Sequence, residues 1–179
     1  RKNSTPLPVV ISPHGREEAC DYTADHWGDL PAKYGFAVLC PAGEGIYQGK
    51  RVPDFSYASP GQVSDLMSMP DYVEAKIPWL RFDRSRIYAA GDSMGGLESL
   101  ALLARYPDRL AAVVAMDGVA DLTSRYNEWA HDPHPYRGNA SELSDALGGT
   151  PQQIPFEYEI RSPLRFASTI AFSEVPLQI

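Results

Sequence analysis

Residues 91–96 (Gly-Asp-Ser-Met-Gly-Gly) are the stretch that most restricts how this chain can fold. They contain the pattern G-x-S-x-G between a short apolar run, residues 87–90, and a helix-like run, residues 97–106. A strand, a tight turn with serine at its tip and a following helix are the setting in which this motif holds a serine hydroxyl clear of a sheet edge. Because a sharp turn crowds the backbone, the residues that flank it, Gly91 and Gly95, must be small.

The rest of the chain alternates between strand-like and helix-like segments. Short apolar runs predict strands at residues 8–12, 35–40, 86–90, 110–116 and 175–179. Helices are predicted at residues 17–34, interrupted near Gly28 and Pro31, and at residues 62–77, where Pro70 should break or kink the helix. This alternation predicts an α/β fold, a mostly parallel sheet with helices on both faces.

The remaining segments show weaker patterns. Residues 41–61 form a loop rich in glycine, and residues 117–155 contain no clear strand and only a weak helix at 141–147. A further short helical piece begins at residues 162–167. We therefore expect a single domain over residues 1–179, with a cap-like or loop region at about 118–160.

Composition excludes several classes of protein. The 179 residues are 44% hydrophobic and 22% charged, which is typical of a globular domain. A net charge of −7 provides no basic surface, so nucleic acid is not an expected partner. The longest apolar run, residues 110–116, is too short to span a membrane.

Two cysteines, Cys20 and Cys40, are too few to define a disulfide framework. We expect two unpaired, partly buried thiols, and the alternative is one bridge in a secreted protein. Their spacing is not that of a metal site. A cytoplasmic and a secreted location both stay open.

Three further motifs accompany the serine turn. Pro13-His14-Gly15 follows the first strand, residues 83–88 (Asp-Arg-Ser-Arg-Ile-Tyr) lead into the turn, and Ser162-Pro163-Leu164 precedes the last strand. Together with the turn they resemble the α/β-hydrolase superfamily, in its prolyl-oligopeptidase and esterase branch. The resemblance covers nearly the whole chain, and the serine turn is its most specific part.

The resemblance implies a role for each matching residue. Ser93 would be the nucleophile, and the backbone N–H of Met94 would bind the oxyanion. A second N–H donor should come from the loop after the first strand, and therefore from Gly15 or Arg16. His14 is expected to pack and hydrogen-bond that loop, because the catalytic base comes last in chain order in this superfamily.

The same chain order places the acid after the strand that begins at Val175, and the histidine later still. Both are expected beyond Ile179, and strands are expected before residue 8, so residues 1–179 would be the central part of a longer hydrolase. Within the chain, Asp117 and Asp121 are candidate acids, although a loop cap or a solvated side chain is the alternative for each.

The histidines and aromatic side chains of the loops remain open to two interpretations. His131 and His134 would form a base or a metal pair, or lie in an exposed loop, and His26 is expected to be structural. Aromatic loop residues would line a substrate pocket or cover the core: Tyr47, Phe55, Tyr57, Trp129 and Tyr136.

These observations predict a serine hydrolase that cleaves a small ester or amide through an acyl-enzyme on Ser93, with esters slightly favoured. One alternative is a serine peptidase of the prolyl-oligopeptidase type, acting on acyl-aminoacyl or dipeptidyl substrates. Another is a hydrolase fold that binds a ligand without turnover. No metal or organic cofactor is implied.

Overall fold

Short apolar strands in parallel form the centre of the molecule. The computed structural model describes residues 5–43, 45–52, 55–132 and 140–179. Its strands are β1 (Leu7–Ile11), β2 (Ala37–Leu39), β3 (Ile46–Tyr47), β4 (Lys50–Arg51), β5 (Phe82–Asp92), β6 (Ala112–Met116) and β7 (Leu177–Gln178). All five predicted strands are present, and β5 begins four residues before the predicted run, at Phe82 rather than Arg86.

The sheet has the order β2-β1-β5-β6-β7, and every neighbouring pair is parallel. The predicted α/β fold is therefore confirmed. Because parallel strands end at the same edge, the loops that follow β1, β5 and β6 meet there. The loop predicted at residues 41–61 contains a small antiparallel hairpin, β3–β4, which lies outside this sheet.

Eight α-helices occur in the described segments. They are α1 (Cys20–Trp27), α2 (Leu30–Tyr34), α3 (Pro60–Lys76), α4 (Met94–Arg105), α5 (Leu122–His131), α6 (Ala140–Leu147), α7 (Pro155–Arg161) and α8 (Ala167–Phe172). The interruption expected near Gly28 is confirmed, since Gly28 ends α1. Helices α5 and α7 were missed by the sequence analysis. None of the helices in the described ranges is long and apolar enough to cross a membrane.

The break predicted at Pro70 is wrong, because α3 continues through it to Lys76. Proline removes one backbone hydrogen bond, yet Pro70 belongs to a buried stripe that also contains Val63, Leu66 and Met67. These positions recur every three or four residues and face the core together. Burial of the stripe outweighs the missing hydrogen bond.

Helix α4 lies at the centre of the core, and all residues from 94 to 104 are buried. Leu97, Leu102 and Leu103 have no exposed surface, and full burial of each such side chain contributes roughly 1.5–3 kcal/mol. A helix buried on every side is held in one position by its neighbours, so the residue that precedes it is positioned with it.

Cys20 and Cys40 form a disulfide, and the expectation of two unpaired thiols is wrong. Cys20 is the first residue of α1, and Cys40 directly follows β2. The two Cα atoms lie 5.5 Å apart, a usual distance for a disulfide. The bond connects the end of the loop after β1 to the end of the neighbouring strand.

We predict that replacing both cysteines with serine lowers the free energy of unfolding by about 3 kcal/mol, because the bond closes a loop of about 20 residues in the unfolded chain. Urea unfolding of wild type and of the Cys20→Ser/Cys40→Ser variant measures this. A reductant should destabilise the wild type and leave the double variant unchanged. Equal stability of the two proteins without reductant would contradict the prediction.

One carboxyl group, that of Glu98 in α4, lies fully inside the core at 1% exposure. The hydroxyl of Ser56 donates a hydrogen bond to it, and the side chain of Gln62 and the amide of Ala58 also contribute. Burial raises the pKa of Glu98 to about 7, although these hydrogen bonds and the nearby His14 favour the charged form. Folding therefore favours the protonated carboxyl.

This burial makes stability depend on pH. In the unfolded chain a glutamate ionises near its usual pKa of 4.5, whereas folded Glu98 retains its proton up to about pH 7. The free energy of unfolding should therefore fall by up to about 3 kcal/mol as pH rises from about 4.5 to about 7, and this contribution should stay constant above pH 7. Urea unfolding across this range, compared with Glu98→Gln, measures it.

The glutamine variant cannot ionise, so its stability should lack this part of the pH dependence. Asp65→Asn removes an exposed carboxyl from α3 and should leave the dependence as in wild type. If the free energy of unfolding changed with pH in the same way for wild type and Glu98→Gln, the prediction would be wrong.

Candidate active site

Ser93 lies between the end of β5 and the first residue of α4, in a backbone conformation that serine rarely adopts. Its φ is 53° and its ψ is −120°. Such a residue costs about 1–3 kcal/mol and persists only where the surrounding structure enforces it. The buried strand and the buried helix on either side supply that constraint, and the strained turn is the feature that the G-x-S-x-G pattern predicts.

The glycines of the motif are required by close backbone contacts. A Cβ atom on Gly91 would lie 2.6 Å from the carbonyl carbon of Gly95. A Cβ atom on Gly95 would overlap the carbonyl oxygen of Pro13, in the loop after β1. Any larger side chain would push these segments apart.

The turn is also attached to the loop after β6. The N–H of Ser93 donates to the carbonyl of Met116 over 2.9 Å. A Cβ atom on Gly96 would lie 2.7 Å from that same oxygen and 2.9 Å from the Cα of Gly118. The first turn of α4 is therefore in backbone contact with both neighbouring loops.

Met94 is the first residue of α4, and its side chain is 4% exposed. The first N–H groups of an α-helix have no acceptor within the helix, and the helix dipole gives this end a partial positive charge. An N–H donor therefore lies directly beside Ser93.

The two candidate donors of the loop after β1 differ in their surroundings. The N–H of Gly15 already donates to the carboxylate of Glu18 over 2.9 Å. Arg16 lines the cavity in front of Ser93, and Gly15 does not. The geometry favours Arg16 over Gly15 as the second donor.

His14 is a structural part of the same loop. It is 2% exposed, its Nδ1 lies 2.8 Å from the carbonyl of Gly15, and its Nε2 lies 3.0 Å from the carbonyl of Ala42. Both ring nitrogens therefore face backbone oxygens. This geometry agrees with the expectation that His14 holds the loop together.

A cavity of about 460 Å³ opens in front of Ser93. Five of its lining residues are charged, which makes it a polar site. The lining comprises Arg16, Tyr57, Ser93, Met94, Leu97, Asp117, Val119, Arg125, Glu128, Trp129 and Asp132.

Apart from Trp129, the sequence analysis missed the wall of this cavity that α5 forms, because it missed that helix. This wall comprises Arg125, Glu128, Trp129 and Asp132, and each lies three or four residues from two of the others, on one face of α5 or directly after it. Arg125 pairs with Glu128 at 3.2 Å, and its guanidinium lies 5.6 Å from the centre of the Trp129 ring. The signal for this helix in the sequence was the helical spacing of these residues after a capping aspartate, Asp121.

The two candidate acids occupy different environments. Asp117 is exposed, has a φ of 49° and lines the cavity with Ser93. Asp121 does not line that cavity, and its carboxylate caps α5 by accepting from the N–H groups of Thr123 and Ser124 over 2.8 and 3.1 Å. For Asp121, the structure therefore favours a capping role, which was the alternative to a catalytic acid.

No histidine in the described ranges lines the cavity. His26 and His131 are exposed and contact carbonyl oxygens of their own helices. His134 and Tyr136 lie outside the described residues, as does the side chain of Tyr47. Of the remaining aromatic candidates, Tyr57 and Trp129 line the cavity, whereas Phe55 is buried in the core. Within the described part of the chain, no cluster of three or more histidine, cysteine, aspartate or glutamate side chains could hold a metal ion.

Comparison with known proteins agrees with this geometry. Human acylamino-acid-releasing enzyme is 33% identical over 129 residues, which cover 68% of this chain and 17% of that enzyme. Feruloyl esterase B of Neurospora crassa is 29% identical over 125 residues, which cover 66% of this chain and 41% of the esterase. The chain thus spans a small part of the length of these relatives.

The same fold occurs in the solved structure of acylaminoacyl peptidase from Pyrococcus horikoshii. It superposes with a TM-score of 0.65 at 17% identity, over 99% of this chain and 27% of that one. The model of the prolyl oligopeptidase family matches residues 57–148, which include the serine turn, α4 and β6. Because this match covers just over half of the 179 residues, the chain belongs to the prolyl oligopeptidase family.

Proposed function

We propose that this protein is a serine hydrolase that cleaves a carboxylic ester or amide through an acyl-enzyme on Ser93. The strained backbone of Ser93, with a φ of 53°, at the mouth of a 460 Å³ cavity is the observation that carries the proposal. An ordinary strand-to-helix turn does not require a serine in this conformation.

In the proposed reaction, Oγ of Ser93 attacks the substrate carbonyl carbon, and the carbonyl electron pair moves to oxygen. A general base takes the serine proton and passes it to the departing alcohol or amine. Water then repeats the sequence on the acyl-enzyme and releases the acid. The N–H groups of Met94 and Arg16 stabilise both oxyanions, and losing one such donor costs about 3 kcal/mol of transition-state stabilisation.

We propose that the base is a histidine outside the described residues, with an acid as its partner, as the chain order of this family implies. The described histidines support this assignment, since none of them lines the cavity. Asp117 is a second candidate for the acid, because it lines the cavity at the carboxyl end of β6. Asp121 is the weaker candidate, because its carboxylate is engaged as a helix cap.

The proposed substrate is a small ester or peptide with polar groups near the scissile bond. The charged wall of α5 supports this, since a polar substrate can replace the hydrogen bonds that these side chains make with water. A peptidase that acts on acylated peptides is the second candidate. The similarity to human acylamino-acid-releasing enzyme supports it. A binding domain without turnover is the third.

We predict that Ser93→Ala abolishes both ester hydrolysis and covalent labelling by a fluorophosphonate, because no other hydroxyl is held in this turn. Purified full-length protein is incubated with the probe and with a chromogenic ester. Ser68→Ala, which removes an exposed serine of α3, is the matched control and should keep both activities.

Labelling that persists in Ser93→Ala would contradict the assignment of the nucleophile. Wild-type protein that neither reacts with the probe nor hydrolyses esters and acylated peptides would instead favour the binding domain.

A further inference from the structure

Three side chains from distant parts of the sequence meet at the edge of the cavity. Oε2 of Glu142, in the first turn of α6, accepts a hydrogen bond from Nη1 of Arg16 over 2.9 Å. Oε1 of the same carboxylate accepts a hydrogen bond from the hydroxyl of Tyr57 over 2.6 Å. Arg16 and Tyr57 both line the cavity that contains Ser93.

The carboxylate of Glu142 is well shielded from water, with 6% of the residue exposed. A buried carboxylate is tolerated when charged and hydrogen-bonding partners satisfy both oxygens, and its contacts are then stronger than at the surface. Removing its charge would leave the partly buried Arg16 guanidinium with only the exposed carboxylate of Glu17, 3.3 Å from the same nitrogen, as an ionic partner among the described residues.

Tyr57 is held in a strained segment. Tyr57 and Ala58 have φ values of 40° and 51°, and both side chains are buried. Burial, followed by the hydrogen bond to Glu142, raises the pKa of the Tyr57 phenol, so the phenol remains protonated and donates. The Glu142 carboxylate therefore connects this strained segment to Arg16.

The loop that carries Arg16 is held at two points. On one side, the N–H of Gly15 binds Glu18. On the other, the Arg16 side chain binds Glu142, which lies 126 residues further along the chain. Since the Arg16 N–H lies between these two attachments, losing the second would leave the backbone at Arg16 with fewer restraints.

We propose that Glu142 is a positioning residue that holds the Arg16 loop, and with it the second oxyanion donor, in place beside Ser93. The catalytic part of this inference rests on the proposed serine hydrolase function. Glu142 contacts Arg16 and Tyr57 rather than the reacting atoms. It therefore acts on the transition state through Arg16.

The test compares Glu142→Gln with wild type in the full-length protein, using a chromogenic ester. The turnover number kcat should fall about 10-fold to 100-fold while KM changes little, because the oxyanion exists only after substrate has bound. Affinity for a trifluoromethyl ketone, which forms an oxyanion adduct with the serine, should fall by a similar factor. Hydrogen exchange of the amides at residues 14–18 should become faster.

Glu157→Gln is the matched control, since it removes a glutamate that pairs with Arg161 at 3.0 Å away from the cavity. It should change neither kcat nor the affinity for the ketone. If Glu142→Gln does not fold, Glu142→Asp keeps the charge but shortens the side chain, and an intermediate loss of kcat is expected.

The proposal would be overturned if a folded Glu142→Gln variant had the kcat and the ketone affinity of wild type. If that variant does not fold, the same result for Glu142→Asp would overturn it. So would a rise in KM at constant kcat. An inactive wild-type protein would refute the proposed function instead, and the hydrogen exchange of residues 14–18 would then test the contact by itself. Unchanged exchange in Glu142→Gln would overturn the positioning role.

Discussion

Backbone contact between the first turn of α4 and its two neighbouring loops is the constraint on which the rest of the site depends. Gly95 touches the carbonyl of Pro13, Gly96 packs against Gly118, and Ser93 donates to Met116. With no side chains between them, the loops after β1 and β6 lie within reach of Ser93. The fully buried body of α4 keeps this turn from relaxing, so the strain at Ser93 is maintained by the core.

The loop after β1 is connected to its surroundings by a different kind of interaction at each end. A disulfide holds Cys20 to Cys40, and two carbonyl oxygens face the ring of His14. Glu18 and Glu142 bind the middle of the loop at Gly15 and Arg16. A loop of glycine and charged residues has little hydrophobic burial of its own. Covalent and polar contacts therefore supply its rigidity, which the proposed oxyanion donor would require.

Buried carboxyl groups lie on two sides of the candidate site and are accommodated in different ways. Glu98 is desolvated in the core and retains its proton to about pH 7. Glu142 lies beside a guanidinium and a phenol. Both side chains make hydrogen bonds with the segment that contains Ser56 and Tyr57. That segment therefore links the core beneath α4 to the wall of the cavity.

The sequence alone determined the parallel α/β fold, the position of each strand of the main sheet and the serine turn, because these depend on local apolar runs and small residues. It predicted a catalytic site of Ser93, Met94 and either Gly15 or Arg16, and those roles stay a prediction. It also missed α5, although Leu122, Tyr126 and Trp129 recur at helical spacing after a capping aspartate, and it expected free thiols at Cys20 and Cys40. Only the tertiary structure decided those points, and it alone brought Glu142 to Arg16. Pairing between residues 20 or 126 positions apart depends on how strands and loops converge, and no local pattern encodes that convergence.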